Sequence, residues 1–182
     1  MTVVSELHKD HVNLIKLLEI LDKKIVKLKA GGQPNFGLMA DVIGYIATYA
    51  EGYHHPKEDK MFIFFKGRND KLDAVMQECE AAHTNLKGYA HALLEAIDGV
   101  LHDAVMPMNE FIEKLENFVR NEKNHLAFEE AEVFPVLNEV ASEADWNAVE
   151  AVLPIENDPL FGEKQSEEYK ALYAELMRDI NS

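Results

Sequence analysis

The feature that most constrains this chain is a helical spacing of apolar residues, which recurs in four long segments separated by short breaks. In the first segment, apolar side chains fall three or four residues apart, as on one face of an α-helix. They are Leu7, Leu14, Leu17, Leu18, Leu21, Ile25 and Leu28. Gly31 and Gly32 follow as a stop signal. This segment is predicted helix A.

The second segment predicts helix B, which begins after Pro34 and Asn35 and runs to about Lys66. Its apolar positions are Leu38, Val42, Ile46, Tyr49, Met61, Phe62 and Phe65. Pro56 lies inside this helix and has no backbone donor, so a kink is expected there.

Two further segments predict helices C and D. A turn over residues 67–70 precedes helix C, whose apolar positions run from Leu72 to Ile97 before an end near Gly99. Pro107 suits the first residue of helix D, which extends to about Leu137. Short connections between long amphipathic helices favour antiparallel neighbours. The sequence therefore predicts an all-α fold, an up-down antiparallel four-helix bundle with a C-terminal helical extension.

We predict that residues 1–140 form the bundle domain and that residues 141–182 form the extension packed on it. Ser142 with Asp145 resembles a capping box for a short helix through Leu153, and residues 154–162 are typical of a loop. A last helix is predicted from about Glu167 to Ile180. Its apolar stripe is expected to pack against the bundle and consists of Tyr169, Leu172, Tyr173 and Leu176.

Charge and composition exclude several classes of function. With 33 acidic and 18 basic residues the net charge is -15, which repels nucleic acid and anionic membrane surfaces. The start lacks the features of a secretory signal and no apolar run is long enough for a bilayer, so a soluble, cytoplasmic protein is expected. The single cysteine, Cys79, excludes an internal disulfide and is interpreted as a small core residue.

Two histidine-glutamate pairs stand out among the eight histidines. His54 precedes Glu58 by four residues on helix B, and His125 precedes Glu129 by four residues on helix D. That spacing places both members of a pair on one helix face. Each pair is therefore suited to hold one metal centre.

The same pattern recurs at a nearly constant offset along the chain. His54 and His125 are 71 residues apart, as are Glu58 and Glu129, and lone histidines at positions 11 and 83 are 72 apart. The chain thus resembles two helical hairpins, each with one histidine on its first helix and a histidine-glutamate pair on its second. Such a duplication places all six side chains together inside the bundle.

Leucines and large apolar residues flank these positions, which indicates that the six side chains face the core. Carboxylates buried there without a compensating cation would cost several kcal/mol. Buried ion pairs without metal would not explain the matching register of His11 and His83. Imidazole and carboxylate donors suit iron or manganese, with zinc admissible, and two shared carboxylates suit a bridged dinuclear centre.

Four motifs in order resemble the hemerythrin-like (HHE) cation-binding domain: LeuHisLysAspHis at the start, TyrHisHisProLysGluAsp, GluAlaAlaHis and HisLeuAlaPheGluGlu. The resemblance covers roughly residues 1–140. It implies a non-haem centre of two iron ions with an oxo or hydroxo bridge, manganese or zinc being less expected. Its ligands in this chain would be His11, His54, Glu58, His83, His125 and Glu129.

The chain departs from the oxygen-carrying hemerythrins at one position. Those proteins have a second histidine four residues after the helix C ligand, where this chain has Lys87. His55, Glu51 or Glu122 would be the nearest sources of a further contact, although each is more typical of an outer position, and Tyr53 is interpreted as packing. The departure disfavours reversible oxygen transport.

Three functions are compatible with the resemblance. The first is binding or sensing of a small diatomic ligand, dioxygen or nitric oxide. The alternatives are a di-iron oxidoreductase acting on hydrogen peroxide or dioxygen, and an iron-storage or iron-repair protein; a monomer or homodimer is expected. A ferritin-like bundle is an alternative fold, because Glu51 and Glu122 precede histidines by three residues. That fold would need inward glutamates where this chain has His11 and His83.

Overall fold

The computed structural model describes residues 2–102, 107–153, 158–162 and 165–180. These residues form helices and connections, with no strand in the described ranges. The helices are α1 (Val3–Lys29), α2 (Phe36–Tyr49), α3 (His55–Phe65), α4 (Asp70–Leu101), α5 (Met108–Phe128), α6 (Phe134–Val140), α7 (Glu143–Val152) and α8 (Lys170–Ile180). Two π-helical segments, Ala50–His54 and Glu129–Val133, join α2 to α3 and α5 to α6.

The bundle consists of α1, the continuous rod α2–α3, α4, and the continuous rod α5–α6. Helix α4 packs against both α2 and α5, and α1 packs against α5 and α2, which closes a ring of four neighbours. These rods correspond to predicted helices A to D. The all-α, up-down bundle is therefore confirmed.

Polar caps and left-handed glycines set the ends of the rods. Asn35 and Asn69 cap α2 and α4, each accepting a hydrogen bond from the backbone N–H three residues on, at 3.0 Å. Gly31 and Gly67 follow α1 and α3 with φ of 77° and 80°. Only glycine adopts that conformation without a steric penalty, so both helices end there.

Both long rods are interrupted just before a proline. His55 directly precedes Pro56, and its N–H donates to the carbonyl of Ala50. In the same way Phe134 precedes Pro135, and its N–H donates to the carbonyl of Glu129. These i to i−5 hydrogen bonds widen one helical turn, which makes room for the proline ring, whose nitrogen has no hydrogen to donate. The kink expected at Pro56 is thus a π-helical turn over the five residues that precede α3.

The bundle contains two apolar cores with a polar layer between them. Along α1, Leu7 belongs to one core and Leu14 to the other, and the buried His11 lies between them. Helix α4 repeats the order with Met76, His83 and Ala90. The polar layer crosses all four rods at the same level, and the candidate functional residues lie in it.

Residues after 140 pack at both ends of the bundle. Val149 of α7 is fully buried in the smaller core, with Trp146 beside it, and Leu172 and Leu176 of α8 are buried in the larger one. The predicted capping box is confirmed, because the Ser142 hydroxyl accepts from the N–H of Asp145 at 3.3 Å and the Asp145 carboxylate accepts from the N–H of Ser142 at 2.9 Å. The apolar stripe of the last helix packs as expected.

Several predicted boundaries are wrong by a few residues. Pro107 is the N-cap of α5 rather than its first residue, and α4 continues to Leu101. The last helix begins at Lys170, because residues 167–169 form a turn. Within the predicted loop, residues 154–157 lie outside the described part of the chain. Among the described helices, none is both long enough and apolar enough to cross a bilayer.

Candidate metal centre

The six predicted side chains all lie in the polar layer. Glu58 and Glu129 are fully buried, and the exposed fraction of the histidines ranges from 1% for His11 and His54 to 8% for His83. Their donor atoms fall into two groups that share Glu129: His11, His54, Glu58 and Glu129 in the first, and Cys79, His83, His125 and Glu129 in the second. Within each group, all ligand atoms lie within 4.8 Å of one another.

The first group is built around two imidazoles that meet edge to edge. The Nε2 atoms of His11 and His54 are 3.0 Å apart. Two nitrogen ligands at right angles, each about 2.1 Å from one cation, would be about 3 Å apart. The spacing is therefore that of two ligands of one ion.

The carboxylates of Glu58 and Glu129 each divide their two oxygens between the groups. Glu58 turns Oε1 toward Nε2 of His54 at 3.5 Å and Oε2 toward Nε2 of His83 at 3.4 Å. Glu129 turns Oε2 toward Nε2 of His11 at 3.2 Å and Oε1 toward Nε2 of His125 at 3.3 Å. This is the arrangement of two carboxylates that bridge two cation positions.

Several of these atoms make no hydrogen bond with any described residue. They are both oxygens of Glu58, Oε2 of Glu129 and both ring nitrogens of His125. Buried polar atoms are almost always paired, and an unpaired buried carboxylate costs several kcal/mol. A divalent cation at each position would bind the carboxylate lone pairs and one nitrogen of His125. The residues present thus fit a dinuclear metal site.

Charges inside the layer keep both carboxylates ionised. Burial alone would raise the pKa of Glu58, but the surrounding imidazoles of His54, His11 and His83 hold it well below its usual range. Burial and the Glu58 charge also oppose ionisation of Glu129, yet the facing imidazoles of His11 and His83 lower its pKa to about 2. Ionised carboxylates are the form that binds metal.

Three histidines are oriented by acidic residues outside the groups. Nδ1 of His11 pairs with Glu130 at 2.7 Å, Nδ1 of His83 with Asp59 at 3.0 Å, and Nδ1 of His54 with Asp10 at 3.3 Å. Such partners fix Nδ1 as the protonated nitrogen and leave Nε2 free to bind.

Sequence reasoning missed these three partners, although a signal was present. Asp10, Asp59 and Glu130 each stand directly beside a predicted ligand in the sequence. Adjacent positions on a helix point about 100° apart, so adjacency alone did not reveal which histidine each would reach. In the structure, Glu130 and Asp59 reach histidines of other helices, α1 and α4 respectively.

The candidates for an additional ligand fall outside both groups. His55 is buried and its ring stacks on His83 with centroids 4.0 Å apart; burial lowers its pKa, so the ring is neutral. Glu51 pairs with Lys87 and His91, and Tyr53 is half-exposed and stacks on Tyr49. Lys87, at the position of the missing fifth histidine, is held outward by that ion pair.

Glu122 is also outside the groups, although only 3% of its surface is exposed. Burial and the Glu129 charge raise its pKa to about 8, so this carboxyl is protonated at neutral pH. A protonated acid does not compete for a cation as an ionised one does.

Cys79 is a core residue, as the sequence predicts, and it also contacts the site. The residue is fully buried, but its Sγ is 2.7 Å from Oε1 of Glu129 and 3.6 Å from Nε2 of His83. Cys79 precedes His83 by one helical turn on the same face of α4, which brings the sulfur into the polar layer. The donor atoms of the second group therefore include a sulfur.

A pocket of about 220 Å³ opens beside the second group. Its lining includes His125 together with Ala82, Leu86, Tyr89 and Phe128. The pocket has room for a ligand of two or three atoms, and it connects the surface with His125 of the site.

Comparison with known proteins agrees with the geometry. A family model described as "Hemerythrin HHE cation binding domain" matches residues 2–137, which include every member of both donor groups. No curated protein matches the chain.

Proposed function

The chain belongs to the hemerythrin HHE cation-binding family, and from this premise we propose that it is a non-haem di-iron protein that binds or senses dioxygen or nitric oxide. The observation that carries the proposal is the division of the Glu58 and Glu129 oxygens between two histidine pairs. Bridging carboxylates with terminal imidazoles form a donor set that suits iron.

Each part of the layer has a distinct task in this proposal. His11 and His54 would hold the first iron and His83 and His125 the second, and Glu58 and Glu129 would offer carboxylate oxygen to both. Iron, when bound, supplies an open position and an electron for a diatomic ligand. The chain orients the imidazoles through Asp10, Asp59 and Glu130 and surrounds the pair with two apolar cores.

The pocket beside His125 supports a small ligand rather than a large substrate. Its volume of about 220 Å³ is below the usual range of ligand pockets, and its lining mixes apolar side chains with polar ones such as Asn121 and Asn124. The ligand would therefore approach the second iron position.

The number of imidazoles supports sensing over transport. Four histidines lie in the donor groups, and the position that would add a fifth is the outward-facing Lys87. Neutral imidazoles favour ferrous iron, whereas carboxylates stabilise ferric iron. A set of four histidines and two glutamates lies between a reversible carrier and an oxidative enzyme.

The test is metal analysis of the purified protein with spectra of its reduced form before and after exposure to nitric oxide, dioxygen and peroxide. We expect two irons per chain and a spectral change with nitric oxide or dioxygen that reverses when the gas is removed. His125→Ala should lose iron, whereas the matched variant of the exposed His91, His91→Ala, should keep it.

Two other outcomes would reject the proposal in different ways. Irreversible oxidation with rapid consumption of peroxide would make the protein an oxidoreductase with the same metal centre. Protein expressed with abundant iron that contains no transition metal would reject the metal centre itself.

A further inference from the structure

Cys79 is the one sulfur among the donor atoms of the two groups. It lies on α4 four residues before His83 and is inaccessible to solvent. Its Sγ contacts Oε1 of Glu129, the same oxygen that faces His125. The sulfur therefore lies where the ligands of the second position converge.

An independent observation at the same place points to a cation. His125 is 5% exposed, and neither of its ring nitrogens makes a hydrogen bond with a described residue. Its Nε2 is aimed at Oε1 of Glu129, 3.3 Å away. A buried imidazole left with both nitrogens unsatisfied is rare in a folded protein unless one of them binds a metal.

The two halves of the layer are not equivalent. The first group contains two imidazoles and two carboxylates, whereas the second contains two imidazoles, the Glu129 carboxylate and the thiol, with Oε2 of Glu58 facing it 3.4 Å from Nε2 of His83. On α4 the residue one turn after His83 is Lys87, which faces outward, and the residue one turn before it is Cys79, which faces inward. Helix α4 thus offers the layer a histidine and a cysteine.

We propose that Cys79 binds the second metal ion as a thiolate, which gives that position a sulfur, two imidazoles and carboxylate oxygen. The inference rests on the proposed metal centre and assigns a ligand to it. On binding, the S–H bond is replaced by a sulfur–metal bond. The proton passes to Oε1 of Glu129, 2.7 Å away, and is lost to solvent when that oxygen takes the cation.

The charge of the cation stabilises the thiolate form of Cys79. In the metal-free protein the sulfur is fully buried and its S–H donates to Oε1 of Glu129 at 2.7 Å. A coordinating cation deprotonates a thiol outright. Because thiolate is a soft ligand, the second position should prefer softer ions such as zinc or cobalt more strongly than the first does.

The test is the absorption spectrum of the full chain titrated with Co²⁺ under reducing, anaerobic conditions. Thiolate bound to cobalt gives an intense near-ultraviolet charge-transfer band, and Cys79 is the only cysteine in the chain. Any such band therefore reports on this residue. We expect the band in the wild-type protein and its complete loss in Cys79→Ser, with the visible cobalt bands of the first position retained.

A matched control separates ligation from packing. Met76→Leu alters another buried sulfur-containing residue of α4 that lies outside both donor groups, and it conserves volume. It should keep the charge-transfer band. The wild-type spectrum decides the question even if Cys79→Ser does not fold.

The possible outcomes distinguish this inference from the proposed function. Two bound cobalt ions without a charge-transfer band would overturn the role of Cys79 and leave the metal centre intact. One bound ion with the band would support Cys79 and contradict the dinuclear centre. No bound cobalt would overturn both.

Discussion

Glu58 and Glu129 occupy equivalent places in the two halves of the bundle, and each directs one carboxylate oxygen to each histidine pair. The two residues are 71 positions apart in the chain, at the same level of two different rods. Their negative charges would repel each other in a buried layer unless cations lay between them. The predictions below follow from this relationship and from the elements that support it.

Glu58→Gln is expected to abolish binding of at least one metal ion per chain, because a neutral amide is a much weaker ligand than a bridging carboxylate. Metal bound only by the folded state stabilises it by about 4 kcal/mol when its free concentration is a thousand times Kd. Thermal melts of the wild type with and without a chelator should show this shift, and Glu58→Gln should show a smaller one.

The matched control for this variant is Glu122→Gln, which changes another buried glutamate of the bundle. Glu122 lies outside both groups and has a raised pKa, so it is already neutral. Its variant should keep both metals. Equal metal content in the wild type and Glu58→Gln would contradict a bridging role.

Asp59→Ala is expected to weaken metal binding by about 10- to 100-fold while the fold survives, because it removes the partner that orients His83. Chelator competition measures the affinity. Asp98→Ala is the control, since this aspartate of the same bundle is 74% exposed and pairs with the surface residue His102. Unchanged affinity in Asp59→Ala would show that packing alone orients the ring.

Ala82→Leu is expected to slow the association of nitric oxide with the iron-loaded protein several-fold, because the larger side chain fills the pocket beside His125. Its iron content should not change. Stopped-flow absorbance measures the rate. Ala81→Leu, at the neighbouring exposed position outside this pocket, should bind at the wild-type rate. If both variants bind at the wild-type rate, the ligand enters by another route.

Asp158→Ala is expected to lower the free energy of unfolding by about 2 to 4 kcal/mol, because a buried carboxylate with several hydrogen bonds is lost. Its oxygens accept from the Tyr45 hydroxyl at 2.7 Å, the Asn13 amide at 3.0 Å, and the backbone N–H groups of Leu160 and Phe161 at 2.8 Å. These bonds attach residues 158–161 to α1 and α2.

Urea denaturation measures that effect, and Tyr45→Phe provides the graded comparison. It removes one of the four donors and should cost less, about 1 to 2 kcal/mol. Limited proteolysis should cleave Asp158→Ala faster near its C-terminal end than either Tyr45→Phe or the wild type. A loss of under about 0.5 kcal/mol in Asp158→Ala, the range of ordinary surface changes, would contradict this role.

The sequence by itself determined the four rods and the level at which six polar side chains enter the bundle. Both depend on local periodicity: apolar residues three and four apart define a helix face, and a histidine four residues before a glutamate lies on one such face. The offset of 71 to 72 residues between the halves then predicted that His11, His54, Glu58, His83, His125 and Glu129 would meet, and the structure brings them together.

Only the tertiary structure decided which atoms face each other. The contact of Cys79 with Glu129, the outward position of Lys87, and the pairing of Asp59 and Glu130 with histidines of other helices depend on how the rods rotate against one another. The π-helical turns before Pro56 and Pro135 set part of that rotation, because one extra residue in a turn shifts every following side chain. Periodicity determines the face of its own helix on which a residue lies, but packing between helices determines which residues of different helices contact each other.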